Sequence, residues 1–306
     1  MRTWRRRIVR ALVVLMLISV AGLGFIYWYD ATGQRADPTF DASVSSRTYT
    51  TQAPRLAFDV AHRNWHRPDG RYLPLAQLLR NDGYDVVELD EPFSDDSLAP
   101  VNVLVIANAL GPDEHEARPA FTESEDAAVA AWVDAGGALL LIADHAPFGS
   151  AAAQLAQRFG VTMYLTYARD DDAHAGWDNE KLVFGRTNGL LGEHAITSGR
   201  DATERVDTVA TFTGQSLSVP PDATAILRMG DAAYDWESRS VRSPAKGHAQ
   251  CIALPFGHGR VVVLGEAGVL SAQVDPLGFK MGMNQPDNDD RQFALNIAHW
   301  LSGALH

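Results

Sequence analysis

The 306-residue chain has one cysteine and lacks the nucleophile and glycine-rich motifs of several large enzyme classes. With Cys251 alone, the chain cannot form an internal disulfide or a CxxC metal or redox site. No GxSxG sequence is present, so a serine hydrolase of the α/β type has no nucleophile here. A Walker A loop and a GxGxxG after the first predicted strand are also absent, which argues against nucleotide binding through either motif.

Positive charge is scarce, since 26 Lys and Arg residues face 38 Asp and Glu residues and give a net charge of −12. Five of the arginines lie in the first ten positions, which leaves −17 for the rest of the chain. A body this acidic repels phosphate backbones, so we expect no binding to nucleic acid. The content of 46% apolar and 9% aromatic residues predicts a packed globular protein.

The N-terminal segment contains 19 uncharged residues, Ala11 to Tyr29, preceded by four arginines between positions 5 and 10. As a helix, this run approaches the hydrocarbon thickness of a bilayer, about 30 Å. The basic flank predicts a cytoplasmic tail over 1–10, a single-pass transmembrane anchor in the cytoplasmic (inner) membrane over 11–29, and a domain outside. A signal peptide cleaved after Ser19-Val20-Ala21 is the alternative, but the apolar run continues for eight residues beyond Ala21.

The rest of the chain divides into a polar linker over 30–53 and an α/β domain over 54–306. In the domain, short apolar runs alternate with helical patterns, which predicts a mostly parallel sheet with helices on both faces. A less regular elaboration is expected over about 161–248, and Cys251 is expected on a buried hairpin strand. Strands are predicted over 56–59, 84–89, 101–107, 138–143, 206–212, 225–228 and 260–265, and helices over 72–80, 122–134, 151–159 and 290–301.

Polar residues follow three of the predicted strands at the point where each strand ends. The first strand runs into DVAHRNWH at 59–66, the central one into Asp144-His145, and the late one into Glu266. Because the carboxyl ends of parallel strands share one edge of a sheet, we expect these residues to form a common site. The candidate ligand-binding residues are Asp59, His62, Asn64, His66, Asp144, His145, Glu266 and, in the loop before the last helix, Asn288.

Two kinds of ligand suit these side chains. They could bind a polyol through hydrogen bonds, with Trp65 and Phe148 as stacking surfaces. Alternatively, a divalent metal ion held by Asp59, His62, Asp144, His145 and Glu266 would activate water and make the protein a metal-dependent hydrolase. The spacings do not specify a metal, since His62 and His66 lack an HExxH context.

Six segments, taken in chain order, resemble a known family. They are FDVAHRN at 58–64, GRY at 70–72, AAWVDAGG at 130–137, HAIT at 194–197, FGHGRVVVLGE at 256–266 and NIAHWL at 296–301. By these segments the chain resembles largely uncharacterised, membrane-anchored bacterial envelope proteins in the class I glutamine amidotransferase-like superfamily. The branch is the one that includes GldG-type and intraflagellar-transport-type domains.

The resemblance implies a flavodoxin-like three-layer sandwich with a mostly parallel central sheet. The nucleophilic cysteine of the superfamily belongs at the turn after a central strand, where this chain has Ala143-Asp144-His145-Ala146. Amidotransferase activity is therefore not carried over. What the resemblance implies is a domain that binds a polar ligand, with carbohydrate or cell-wall material suggested, or a non-catalytic scaffold of an envelope protein complex. Whether the protein is an enzyme stays open at this point.

Overall fold

The computed structural model describes residues 33–112, 118–175, 181–238 and 241–306, together with Trp4, Met16, Ser19 and Gly22. The predicted basic tail over 1–10 and anchor over 11–29 lie outside the described residues, apart from those four. In the part of the chain that is described, no helix is both long and apolar enough to cross a bilayer.

The described residues form sixteen strands, six α-helices and one 3₁₀ turn at Gly268–Leu270. The strands are β1 (Arg35–Ala36), β2 (Arg55–Asp59), β3 (Asp85–Leu89), β4 (Val103–Ala107), β5 (Ala138–Ile142), β6 (Tyr167–Asp170), β7 (His174–Ala175), β8 (Lys181–Gly185), β9 (Thr208–Phe212), β10 (Thr224–Arg228), β11 (Ala233–Ser238), β12 (Val241–Pro244), β13 (Ala249–Phe256), β14 (Gly259–Leu264), β15 (Ala272–Val274) and β16 (Lys280–Gly282). The helices are α1 (Leu73–Asp82), α2 (Asp95–Leu98), α3 (Glu123–Asp134), α4 (Phe148–Arg158), α5 (Ala195–Ser198) and α6 (Asp290–Leu301).

A seven-stranded sheet with the order β10-β13-β14-β5-β4-β2-β3 lies at the centre of the domain. The strands β2, β3, β4, β5 and β14 are parallel to one another, and β13 and β10 extend the sheet in antiparallel fashion. Numbered along the chain, the five parallel strands have the order 2-1-3-4-5, which is one of the common orders of doubly wound sheets. This confirms the predicted α/β class with a large, mostly parallel sheet.

The sheet separates two apolar cores, because successive side chains of a strand point to opposite faces. In β5, Leu140 and Ile142 belong to the core that contains α1 and α6, whereas Leu139 and Leu141 belong to the core that contains α3 and α4. The strand is buried at every position, which explains its continuous apolar sequence. Helices therefore cover both faces of the sheet.

The predicted start of α3 is confirmed in detail. The Thr122 hydroxyl accepts a hydrogen bond from the Glu125 backbone N–H, and the Glu125 carboxylate accepts one from the Thr122 N–H at 2.9 Å. This capping box satisfies backbone donors that the helix itself leaves without a partner. The predicted hairpin of β13 and β14 is also present, and Cys251 is buried in β13.

The segment over 33–53, predicted as a linker, packs against the domain. Its strand β1 pairs with β15, and Ala42 is part of the apolar core. The Tyr49 hydroxyl donates to Ser302 Oγ at 2.8 Å. Within this segment, regular structure is limited to the two residues of β1, and this explains why the sequence shows no apolar period. The segment is held to the domain by partners that lie far along the chain. Within the described residues, the packed part of the chain therefore includes 35–53 as well as the residues from 54 onward.

The less regular stretch over 161–248 contains two small antiparallel sheets, β12-β11-β6 and β7-β8-β9. A third small sheet, β1-β15-β16, joins the start of the described domain to the stretch before α6. Strands predicted over 206–212 and 225–228 correspond to β9 and β10, and β10 is an edge strand of the central sheet.

Candidate functional site

A cavity of about 320 Å³ lies where the parallel strands end. The connections change direction between β2 and β4, and open α/β sheets bind ligands at this switch point, beyond the carboxyl ends of the strands. Segments that follow β2, β4, β5 and β14 all contribute to the cavity wall, together with β15 of the small sheet. The side chains in the wall include Trp65, His66, Asn108, Asp144, Glu266 and Gln273.

The loop after β2 is held in place by its own polar residues. Asp59 Oδ2 accepts a hydrogen bond from Asn64 Nδ2 at 2.5 Å, and Asn64 Oδ1 accepts one from the Ala107 N–H at 2.7 Å. The Trp65 N–H then donates to the Asn108 carbonyl at 2.9 Å. The loop thus crosses the end of β4, and Trp65 reaches the cavity wall. Asp59 and Asn64, both predicted to bind ligand, position this loop and do not line the cavity.

Asn108 connects the segments that follow β4 and β5. Its backbone has a φ of 56°, in the left-handed region that asparagine tolerates better than most residues. Its side-chain Nδ2 donates to Asp144 Oδ2 at 2.6 Å, and its Oδ1 accepts from the Asp144 N–H at 2.8 Å. The sequence interpretation missed this residue, although it directly follows a predicted buried strand at the same edge as the other candidates.

Two carboxyl groups lie in the cavity wall, the partly buried Asp144 and the buried Glu266. Asp144 Oδ1 accepts a hydrogen bond from the Ala267 N–H at 2.9 Å, and the Glu266 carboxylate accepts from the Gly268 and Val269 N–H groups at 2.6 and 2.8 Å. Burial raises the pKa of both carboxyl groups, and the Asp144 charge raises the pKa of Glu266 further. The pair therefore retains a proton at a pH where an exposed carboxyl group has lost it.

His66 contributes an uncharged imidazole to the same wall. Burial, together with the nearby Arg71 charge, lowers the pKa of His66 to about 3. Its Nδ1 lies 3.3 Å from Asn108 Nδ2, which also donates to Asp144. A neutral imidazole can accept that hydrogen bond, so His66, Asn108 and Asp144 form one connected polar network.

The mouth of the cavity is aromatic. Trp65 is 50% exposed, and its ring centroid lies 6.4 Å from that of Phe148. The Arg71 guanidinium lies 4.6 Å above the Trp65 ring, within the range of a cation–π interaction. A flat, half-exposed ring beside buried hydrogen-bonding groups suits a ligand with one apolar face and several polar atoms.

A second cavity, of about 490 Å³, adjoins the first and shares Gln34, Trp65 and Arg71 with it. Its wall adds Arg35 and Arg67 to Arg71, so its charge is opposite to that of the carboxyl pair. The two cavities together form a cleft that runs from the buried carboxyl groups, past Trp65, to three arginines. We refer to them below as the inner and outer cavities.

Three predicted site residues lie away from the inner cavity. His62 bonds Asp59 Oδ1 at 2.9 Å through Nδ1 and Glu125 Oε1 at 2.8 Å through Nε2. His145 bonds its neighbour's carbonyl at 2.8 Å and packs on Tyr167 at 4.1 Å. Asn288 accepts a hydrogen bond from the Asp290 N–H at the start of α6. None of the three lines the inner cavity.

The predicted metal ligands do not gather at one point. Asp59 and His62 bond each other in the loop after β2, Asp144 and Glu266 lie in the inner cavity, and His145 packs on Tyr167. Within the described ranges, no group of three or more His, Cys, Asp or Glu side chains is placed to hold a metal ion. These residues therefore do not form the metal site that the metal-dependent hydrolase hypothesis requires.

The chain's single cysteine is not placed to act as a nucleophile. Cys251 is fully buried in β13, and burial raises the pKa of its thiol. The turn after β5, where a nucleophile would face the cavity, contains Asp144 instead. A buried thiol of raised pKa has little thiolate and no access to substrate.

These observations define a doubly wound α/β domain with a polar cavity at its switch point. The chain belongs to the DUF4350 family, described as a domain of unknown function, whose profile matches residues 67–273. Comparison with curated proteins finds no match.

Two solved structures illustrate the likeness of the fold. The mmIFT52 N-terminal domain is 16% identical, with a TM-score of 0.59, over 81% of this chain and 97% of that one. A structure described as a ThuA-like protein from Bacteroides uniformis ATCC 8492 is 10% identical, with a TM-score of 0.45, over 87% of this chain and 95% of that one. The first agrees with the expected likeness to intraflagellar-transport-type domains at the level of the fold.

Proposed function

We propose that this protein is a membrane-anchored, envelope-facing domain that binds a polar ligand in the inner cavity, and that the ligand is a saccharide. In the proposal, the fold is flavodoxin-like and amidotransferase-like without the catalytic cysteine. The strand order 2-1-3-4-5 supports this assignment. The observation that carries the proposed function is the connected network of His66, Asn108 and Asp144, with Glu266 in the same cavity wall, behind a half-exposed Trp65.

A saccharide matches this network because each hydroxyl group both donates and accepts hydrogen bonds. Asp144 and Glu266 line the cavity with carboxyl oxygens that can accept hydrogen bonds, whereas the Asn108 amide is already bonded to Asp144 and His66. Gln273, which is 2% exposed, lines the same cavity, and its Oε1 has no hydrogen-bond partner among the described residues. Such a buried acceptor is costly unless a donor reaches it, and a sugar hydroxyl can supply one.

The joined cavities favour a ligand longer than one ring. Both volumes fall in the usual range of ligand pockets, about 300–1,000 Å³, and Trp65 belongs to both walls. A sugar ring stacked on Trp65 would place its neighbours in the inner and outer cavities. An oligosaccharide fragment derived from the cell wall is therefore the proposed ligand class.

The proposal is tested by titration calorimetry of the full chain in detergent micelles against a panel of cell-wall oligosaccharides. We expect binding by the wild type and a loss of at least tenfold in affinity, about 1.4 kcal/mol, in Asp144→Ala and in Trp65→Ala. Asp222→Ala removes an exposed carboxylate from the turn before β10 and serves as the matched control. Its affinity should equal that of the wild type.

A wild-type protein that is folded by circular dichroism but binds no member of the panel would contradict the proposal. In that case the scaffold alternative gains support, and Asp144→Ala should also leave the assembly of the envelope complex unchanged. Equal affinities of the wild type and both cavity variants would place the binding site elsewhere in the molecule.

A second candidate function is general acid–base hydrolysis by the carboxyl pair, without a metal ion. The observation that favours it is that Asp144 and Glu266 lie in one cavity wall and that burial raises the pKa of both, so that one can act as the acid and the other as the base. In this case, new reducing ends should form when the panel is incubated with the protein. Glu266→Gln should abolish their formation, whereas Asp222→Ala should retain it.

A further inference from the structure

The hairpin of β15 and β16 presents two large apolar side chains to solvent at its tip. Leu277 is 55% exposed and Phe279 is 70% exposed. Single exposed apolar residues need no explanation, but two of this size within three positions on one turn do.

The turn that carries these side chains is tightly organised. Asp275 Oδ1 accepts hydrogen bonds from the Leu277 and Phe279 N–H groups, both at 2.8 Å. The Gly278 N–H donates to the Asp275 carbonyl at 3.0 Å, and Gly278 has a φ of 89°, which glycine adopts without strain. The backbone thus holds Leu277 and Phe279 outward, while Asp275 itself is buried.

The register of the small sheet places the entering chain beside this tip. Arg35 of β1 is opposite Val274, and Ala36 is opposite Gln273, in an antiparallel pair. Gln34, the residue before Arg35, therefore lies on the side of Asp275, toward the tip. Tyr29, the last residue of the predicted anchor, precedes Arg35 by six residues, which span at most about 20 Å when fully extended.

Two cations flank the tip. Arg35 and Lys280 are both exposed, in a molecule whose net charge is −12, and Lys280 Nζ also lies 3.7 Å from the Asp37 carboxylate. Apolar side chains surrounded by Lys and Arg are typical of surfaces that lie in the interface of an anionic bilayer. The rest of the molecule would be repelled by the same lipids, so the charge favours this one orientation.

We propose that the β15–β16 tip inserts Leu277 and Phe279 into the interfacial region of the anionic bilayer that holds the anchor. This inference rests on the proposed anchoring over 11–29. Gln34, Gln273 and Met281, from or beside the same small sheet, line the inner cavity. The cleft therefore opens at the membrane-proximal side of the domain, and its ligand is taken up at the membrane surface.

The test uses the full chain reconstituted in vesicles of phosphatidylethanolamine and phosphatidylglycerol. An environment-sensitive dye is attached to Phe279→Cys, and the matched control carries it at Gln157→Cys. Gln157 is exposed near the end of α4, which runs from the carboxyl edge of the sheet back to the opposite edge. The native Cys251 is buried and does not compete for the dye. We expect blue-shifted emission and quenching by spin-labelled lipid at position 279 and neither effect at position 157.

The outcomes separate this inference from the anchoring. If the protein floats with the vesicles but the label at 279 behaves like that at 157, the inference is wrong and the anchoring stands. If the protein does not float with the vesicles, the anchoring and the inference both fail. A blue shift at 279 that appears in micelles and grows with protein concentration would assign the tip to a second copy of the chain. That result would overturn the membrane contact. An unlabelled Leu277→Ser variant with a native circular dichroism spectrum checks that the tip tolerates substitution.

Discussion

At the scale of single residues, His62 shows how a predicted ligand serves the fold instead. Its imidazole lies between the carboxylates of Asp59 and Glu125, and its ring packs on Phe93 and Phe121 at 4.5 and 4.9 Å. Burial by itself would lower the pKa of His62, but the hydrogen bonds and charges of the two carboxylates raise it. The imidazole thus ties the loop after β2 to the start of α3, and both carboxylates favour its charged form.

We expect His62→Gln to lower the free energy of unfolding by about 3 kcal/mol at pH 6, because it leaves two carboxylates without their charged partner. The folded-state pKa of His62 is above its unfolded value of about 6.5. Its stabilising contribution is therefore complete below about pH 6.5 and is lost as the pH rises through the folded-state pKa. Urea unfolding at a series of pH values should show the wild type approaching the variant in alkaline solution.

The control for this experiment is His258→Gln, since His258 is exposed in the turn between β13 and β14. Its stability should follow that of the wild type at every pH. A difference between wild type and His62→Gln that stays constant from pH 6 to strongly alkaline solution would show that His62 is not charged in the folded protein.

At the scale of elements, the sequence predicts correctly those features whose signals lie within a single helix or strand. The capping box of α3 and the apolar run of β5 depend on residues within one element, and both were predicted. The strands β1, β15 and β16 were not predicted, because each has two or three residues and is formed by pairing with distant segments. The helix α4 begins at Phe148, three residues before its predicted start at Ala151.

The capping box leads to a second prediction. Thr122→Ala should destabilise the protein by about 1 kcal/mol, because the Glu125 N–H loses its hydrogen-bond acceptor at the helix start. Ser124→Ala removes an exposed hydroxyl that lies 3.0 Å from Thr122 Oγ1 but leaves the capping oxygen in place, and it is the matched control. Urea midpoints of the two variants measure the difference. Equal midpoints would mean that the cap contributes nothing to stability.

At the scale of the whole molecule, the segment over 33–53 is held against the domain by contacts at several points. Beyond the β1–β15 pairing, Thr48 Oγ1 lies 3.0 Å from His299 Nε2, and the Tyr49 ring packs on Tyr84 with centroids 5.0 Å apart. These contacts join the segment to α6 and to the residue before β3. Gln34 also lines both cavities, so the segment contributes to the candidate site as well as to stability.

A comparison of two shortened chains tests these contacts. The chain over 54–306 should unfold at a distinctly lower urea concentration than the chain over 33–306, with a loss of several kcal/mol, since it lacks the buried Ala42 and these hydrogen bonds. The chain over 33–306 controls for the effect of removing residues 1–32, which both shortened chains lack. Identical urea midpoints would show that 33–53 is a linker that merely lies on the surface.

The sequence by itself determined the class of the fold and the edge of the sheet at which polar residues collect. Buried strands and capped helices have local signals, and the parallel arrangement places the carboxyl ends of β2, β5 and β14 together. His66, Asp144 and Glu266 follow from that rule, and the structure brings all three to the inner cavity wall.

Only the tertiary structure decided which polar side chains face the cavity and which serve the fold. Asp59 accepts a hydrogen bond from Asn64 in its own loop, whereas His62 is hydrogen-bonded to Glu125, which lies 63 positions further along the chain. Asn108 directly follows β4 and obeys the same rule, whereas Gln273 joins the cavity wall through β15, a short strand that no local pattern predicted. The direction of a side chain in a loop depends on the partners that the fold brings close to it. A sequence pattern can therefore indicate the edge of the sheet at which a site lies, but not which side chains form the wall of the inner cavity.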